Sequence, residues 1–87
     1  MKIHSPQKVK TFPGYKLCIT FDGGEKRIFD MKPYLEDRYF APLKEVSKFE
    51  RARISPVTVE WDGGIDICPD ELYCNSIPFD KNYTPTV

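Results

Sequence analysis

Eighty-seven residues supply one domain and leave no room for a second core. Hydrophobic residues make up 40% and charged residues 30%, which argues against a disordered chain, and no apolar run approaches the ~20 residues of a bilayer-crossing helix. Lys plus Arg balances Asp plus Glu at 13 each, so the total charge offers no net attraction to nucleic acid or to an anionic membrane, and direct nucleic-acid binding is not expected.

The start, Met1 to Pro6, has one basic residue and no apolar stretch behind it, so it does not read as a secretory signal and the expected location is the cytoplasm. Gln7 to Phe12 forms a weak strand before a turn at Pro13-Gly14. Tyr15, Leu17, Ile19 and Phe21 alternate with Lys16, Cys18 and Thr20, the period-two pattern of a half-buried strand. Asp22-Gly23-Gly24 is a hairpin signal, and Glu25 to Asp30 returns as the partner strand with Ile28 and Phe29 as its apolar content.

The middle third changes character. Pro33 with Tyr34 and Leu35 predicts one short helical turn. Pro42 suits the start of the main helix, because its missing N–H would be unpaired there anyway. Leu43, Val46 and Phe49 then recur at three-residue spacing as one apolar face, and the helix ends near Phe49 or Glu50 with Arg51 at its negative end.

Strands return after it. Ala52 and Ile54 alternate with Arg51, Arg53 and Ser55, and Ser55-Pro56 turns the chain. Val57, Val59 and Trp61 alternate with Thr58 and Glu60, Asp62-Gly63-Gly64 is a second hairpin signal, and Ile65 and Ile67 face one way. Pro69 to Tyr73 predicts a single helical turn. The expected architecture is α+β: antiparallel hairpins in a small sheet, with one main helix packed on a face. The expected domain is 1–77, followed by a loosely held tail over 78–87 that carries Pro85 and no apolar period.

The second half carries a family resemblance. Trp61-Asp62-Gly63-Gly64-Ile65-Asp66-Ile67-Cys68-Pro69-Asp70-Glu71-Leu72-Tyr73 resembles the closing motif of the domain-of-unknown-function 2442 family, with Gly63 where that family often has Asn. Leu17 to Phe21, Gly24, Pro33 to Leu35, Phe40, Leu43 and Phe49 fit the same family. The resemblance implies a small bacterial or phage α+β domain. It also implies a protein partner, because members resemble one half of small two-gene modules, an antitoxin-like role. Some members continue into a helix-turn-helix.

The chemical inventory is short. His4 is the only histidine, so acid–base work at neutral pH would fall to a carboxylate or a thiol. Asp66 is a candidate, and its plainer reading is an acceptor for backbone N–H groups of the neighbouring turn or helix start. Cys68 before Pro69 is a candidate nucleophile by position, and its plainer reading is a small cap residue. The odd cysteine count of Cys18, Cys68 and Cys74 makes no closed disulfide set and lacks the close pairs of a zinc site. Trp61 and Phe40 read as core, and Tyr73 divides between core and surface.

The leading expectation is therefore a protein-binding or regulatory module without catalysis, with a protein partner or a second copy of itself and no cofactor or metal. Its candidate binding residues are Trp61, Asp66, Cys68, Asp70 and Tyr73. The alternatives are a ligand binder or enzyme with a site around Asp66, Cys68 and Tyr73, and a component of a DNA-binding regulator.

Overall fold

The computed structural model describes residues 5–56 and 58–79. Strands β1 (Pro6–Phe12), β2 (Lys16–Phe21) and β3 (Lys26–Asp30) form consecutive antiparallel hairpins, and β7 (Ile77–Pro78) joins the far edge of β3. The order across this four-stranded sheet is β1-β2-β3-β7. A second sheet of three strands contains β4 (Arg53–Ile54), β5 (Val59–Trp61) and β6 (Ile65–Ile67) in sequence order. Two short helices, α1 (Val46–Phe49) and α2 (Pro69–Cys74), complete the fold, with single 3-10 turns at Asp22–Gly24, Lys32–Glu36 and Ala41–Lys44. The mixed α+β class expected from the sequence is what the chain adopts.

The alternation in β2 works as its pattern requires. Leu17, Ile19 and Phe21 are buried, and they meet Phe29 and Met31 from the β3 side. Val59, Trp61, Ile65 and Ile67 bring the inner face of the second sheet into the same core. The connection between the sheets adds Leu35, Phe40, Leu43 and Phe49, and α2 adds Leu72. Trp61 at 1% exposure and Phe40 at 9% are core residues, as expected.

The main helix predicted from Pro42 to Phe49 does not form. Ala41–Lys44 is one 3-10 turn, Glu45 is extended at φ −75 and ψ 116, and α1 then makes a single turn. Leu43 and Phe49 are buried, but Val46 is 53% exposed. The spacing of three that suggested one helix face is also the period of a 3-10 turn, so it suits two separate turns equally well. Each turn buries one large side chain, and the extended Glu45 between them rotates Val46 outward.

Ile77–Pro78 is the other addition. Ile77 pairs with Ile28 and Pro78 with Arg27, and the Phe79 N–H donates to the Lys26 carbonyl at 2.9 Å. The rest of the segment expected to be a loose tail, from Asp80 on, lies outside the described residues, as do His4 and Val57.

With so little regular helix, tyrosine hydroxyls tie the segments together. Tyr15, in the β1–β2 turn with φ 61, donates to the Lys44 carbonyl and packs edge-on against Phe49 with ring centroids 5.3 Å apart. The Tyr34 hydroxyl accepts from the Asn75 side-chain amide at 3.1 Å. Tyr73 donates to Glu25 Oε1 at 2.8 Å.

Candidate functional site

The turn at Asp62-Gly63-Gly64 ends the β5–β6 hairpin beside the segment from Pro42 to Arg51. Between them opens a groove with a volume of about 910 Å³. Its apolar lining comes from Leu43, Trp61 and Ile65, all buried in the fold, so only their edges meet the opening. Trp61 is fixed there because its indole N–H donates to the Phe49 carbonyl at 2.9 Å, tying β5 to the end of α1.

Charged side chains form the rim. Lys48 pairs with Glu45 at 3.5 Å, and Arg51 Nε pairs with Asp62 at 2.7 Å. The other Asp62 oxygen takes Arg53 Nη1 at 2.7 Å, while Arg53 Nη2 reaches Glu60 at 3.0 Å. The hydrogen bond from Arg53, then the charge of Arg51, hold the Asp62 carboxyl below the usual carboxylate range, and the bond to Asp62 raises Arg53 in turn. Glu50 also lines the groove and makes no ion pair among the described residues.

Tyr39 closes one end. Its ring is 48% exposed and stacks edge-on against Phe40 at 4.8 Å. Its hydroxyl accepts from the Asp66 N–H at 3.0 Å and faces the Asp66 carboxylate at 3.1 Å and the Gly64 carbonyl at 3.2 Å. One hydroxyl has one proton, so it donates to one of those two oxygens at a time.

The residues singled out in the sequence fall into separate places. Trp61 lines the groove, and Asp66 holds Tyr39 at its end rather than capping backbone N–H groups of the next turn. Tyr73 sits elsewhere, packed edge-on against Phe21 at 5.0 Å with the Arg27 guanidinium 4.5 Å over its ring. Its hydroxyl is pushed above its ordinary pKa, first by the hydrogen bond to Glu25 and then by burial. Arg27 also binds the Ser76 hydroxyl at 2.6 Å and carbonyl at 2.7 Å and Glu25 Oε2 at 2.9 Å, so the group joins β3 to the end of α2. Cys68 precedes α2, is exposed, and makes no side-chain cap bond. Asp70 is exposed in the first turn of α2, where a carboxylate suits the helix dipole. Among the described residues no three His, Cys, Asp or Glu side chains gather to hold a metal ion.

Residues 6–78 match the family described as "Protein of unknown function (DUF2442)". The chain belongs to this family. No curated protein and no solved structure matches it. No helix among the described residues is long and apolar enough to cross a membrane.

The pairing of Tyr39 with Asp66 is the part of the site that the sequence pattern did not reveal, because the two lie 27 positions apart and no periodicity links them. The Arg51–Asp62–Arg53 cluster left a trace. Arginines two apart before β5 face acids two apart at its end, the charge complement of an antiparallel pair in which Arg53 stands opposite Glu60.

Proposed function

We propose that the chain is a protein-binding module without catalysis of its own, the antitoxin-like partner of a small protein. The groove between the Pro42 to Arg51 segment and the β5–β6 turn receives a segment of that partner. The observation that carries this reading is the composition of the groove: an apolar lining of Leu43, Trp61 and Ile65 under a rim whose cations are already paired, with Glu50 left over. Such a groove suits an aliphatic or aromatic anchor with a basic residue beside it. The carboxylate and hydroxyl that a ligand-binding or catalytic reading would use are already hydrogen-bonded to other side chains of the chain, Asp66 with Tyr39 and Tyr73 with Glu25. The antitoxin-like pairing itself rests on the family's likeness to one half of two-gene modules.

The test is photocrosslinking from position 47 in the cells that make the protein, followed by reconstitution with the purified captured protein. Ser47 lines the groove and is exposed. The expected result is repeated capture of one small protein, whose binding weakens at least about tenfold in Glu50→Lys, a loss of roughly 1.4 kcal/mol. Recovery of that affinity when a basic residue of the partner is reversed to an acid completes the case. Equal capture from position 32, remote from the groove, or unchanged affinity in Glu50→Lys, overturns it.

A further inference from the structure

β6 is the outer strand of the second sheet, and among the described residues no strand pairs with its far side. The Asp66 N–H and the Gly64 carbonyl face away from β5, since both meet the Tyr39 hydroxyl, at 3.0 and 3.2 Å. In an antiparallel strand the carbonyl of a residue turns the same way as its N–H, so the Asp66 carbonyl shares that side. These are the groups through which a further strand would join the sheet. One tyrosine hydroxyl stands in for it, meeting a donor and an acceptor that a neighbouring main chain would otherwise meet. An edge left bare is a template for pairing with another chain.

The Tyr39 side chain is removable from this edge. Its main chain is held separately, because the Tyr39 N–H donates to the Asp37 carboxylate at 2.8 Å. Its ring is half exposed and lies outside the core cluster, leaning edge-on against Phe40. Turning the ring outward therefore uncovers β6 without opening the core. The pattern of β6 also says which strand fits. Ile65 and Ile67 are buried and Asp66 between them is exposed. A strand that alternates apolar and basic residues sets a cation opposite Asp66 and its apolar side chains on the face of Ile65 and Ile67. From Ile54 to Phe79 the chain carries Glu60, Asp62, Asp66, Asp70 and Glu71 and no base, which favours a basic strand over an acidic one.

We infer that the partner segment joins β6 as an extended strand of alternating apolar and basic residues, displacing the Tyr39 hydroxyl from the Asp66 N–H and the Gly64 carbonyl. The inference rests on the protein-binding reading of the groove and gives the bound segment its form. Tyr39 lines one end of that groove, so a segment anchored over Trp61 and Leu43 runs on to the β6 edge. The edge selects a polypeptide, because N–H and carbonyl groups repeating at strand spacing belong to a main chain and to no small ligand or nucleic acid.

The test follows main-chain amide exchange at Asp66 by nuclear magnetic resonance in the parent and in Tyr39→Phe. The probe is an end-blocked peptide of roughly six alternating lysine and valine residues, a common strand length. Without peptide, the Asp66 N–H is expected to exchange about tenfold faster in Tyr39→Phe, which has lost its acceptor. The peptide is expected to restore protection there, and to bind Tyr39→Phe about three- to tenfold more tightly than the parent, because no hydroxyl has to leave. The same peptide with every main-chain nitrogen methylated keeps the charges but has no main-chain N–H, and it is expected to give no protection. A glutamate–valine peptide is expected to bind more weakly than the lysine–valine one. Equal exchange in parent and variant, no binding of the lysine–valine peptide, equal affinity for the two proteins, equal protection by the methylated peptide, or equal binding of the glutamate–valine peptide overturns the inference. These readouts lie on β6, whereas crosslinking from position 47 and Glu50→Lys report on the groove, so failure of one proposal is told apart from failure of the other.

Discussion

The indole N–H of Trp61 donates to the main-chain carbonyl of Phe49 at 2.9 Å, across 12 positions of sequence. Both residues are buried, and their rings lie 6.2 Å apart. The bond joins the second sheet to the one turn of α1, a helix too short to hold itself. Trp61→Phe keeps an aromatic ring but removes that donor, leaving the Phe49 carbonyl only the Ala52 N–H at 3.2 Å. The expected cost of the lost hydrogen bond is about 0.5–1.5 kcal/mol, read as a lower urea midpoint at unchanged slope. An unchanged midpoint would mean that the Ala52 N–H suffices for the carbonyl and that the groove wall does not depend on Trp61.

Tyr39 and Asp66 give a second prediction. The Tyr39 hydroxyl satisfies the Asp66 N–H and reaches its carboxylate, so it covers an edge of β6. Tyr39→Phe should cost about 0.5–1.5 kcal/mol. Asp66→Ala should cost about as much, and the double variant less than the sum, because the two side chains act as one unit. Strict additivity in a double-mutant cycle refutes the coupling.

Much of this fold can be read from local pattern, and its site cannot. The alternation of Leu17, Ile19 and Phe21 marks β2 because one face of the sheet is buried, and two Asp-Gly-Gly turns mark the hairpins that follow. Leu43, Val46 and Phe49 misled, since a period of three does not distinguish one α-helical face from two short turns broken at Glu45. Ile77–Pro78 is too short for any period to show, and its strand exists only because the edge of β3 offers main-chain partners. The Tyr39–Asp66 and Tyr73–Glu25 bonds link residues 27 and 48 positions apart, set by the way the sheets meet rather than by neighbours in sequence.

Acid should release the Arg51–Asp62–Arg53 cluster. The Asp62 carboxyl is held below its ordinary range in the folded chain, so the unfolded chain takes up its proton first as pH falls. The stabilisation is complete above about pH 4, the unfolded value, and disappears as pH drops through the lower folded value. Asp62→Asn should therefore lose this stabilisation near neutrality, where it is complete, and show a flatter acid limb in that window; both effects are small at this exposed cluster and shrink together as salt is added. Melting temperatures measured against pH for both chains check this. Parallel acid limbs would show that Asp62 does not carry that part of the curve.

Gly63 tests the turn that forms one side of the groove. Its φ is +87, and a Cβ built there meets nothing within 4 Å, so any penalty for substitution comes from the backbone rather than from a clash. Alanine in a left-handed conformation costs about 1–2 kcal/mol. Asparagine, which tolerates that region through local hydrogen bonding, should cost much less. Gly63→Ala is expected to lower the urea midpoint, and Gly63→Asn to leave it within about 0.5 kcal/mol of the parent. Equal losses in the two variants would mean that Asn gains nothing from its side chain here. Equal neutrality would mean that the turn relaxes out of the left-handed region, carrying Asp62 away from Arg51 and widening the groove at that end.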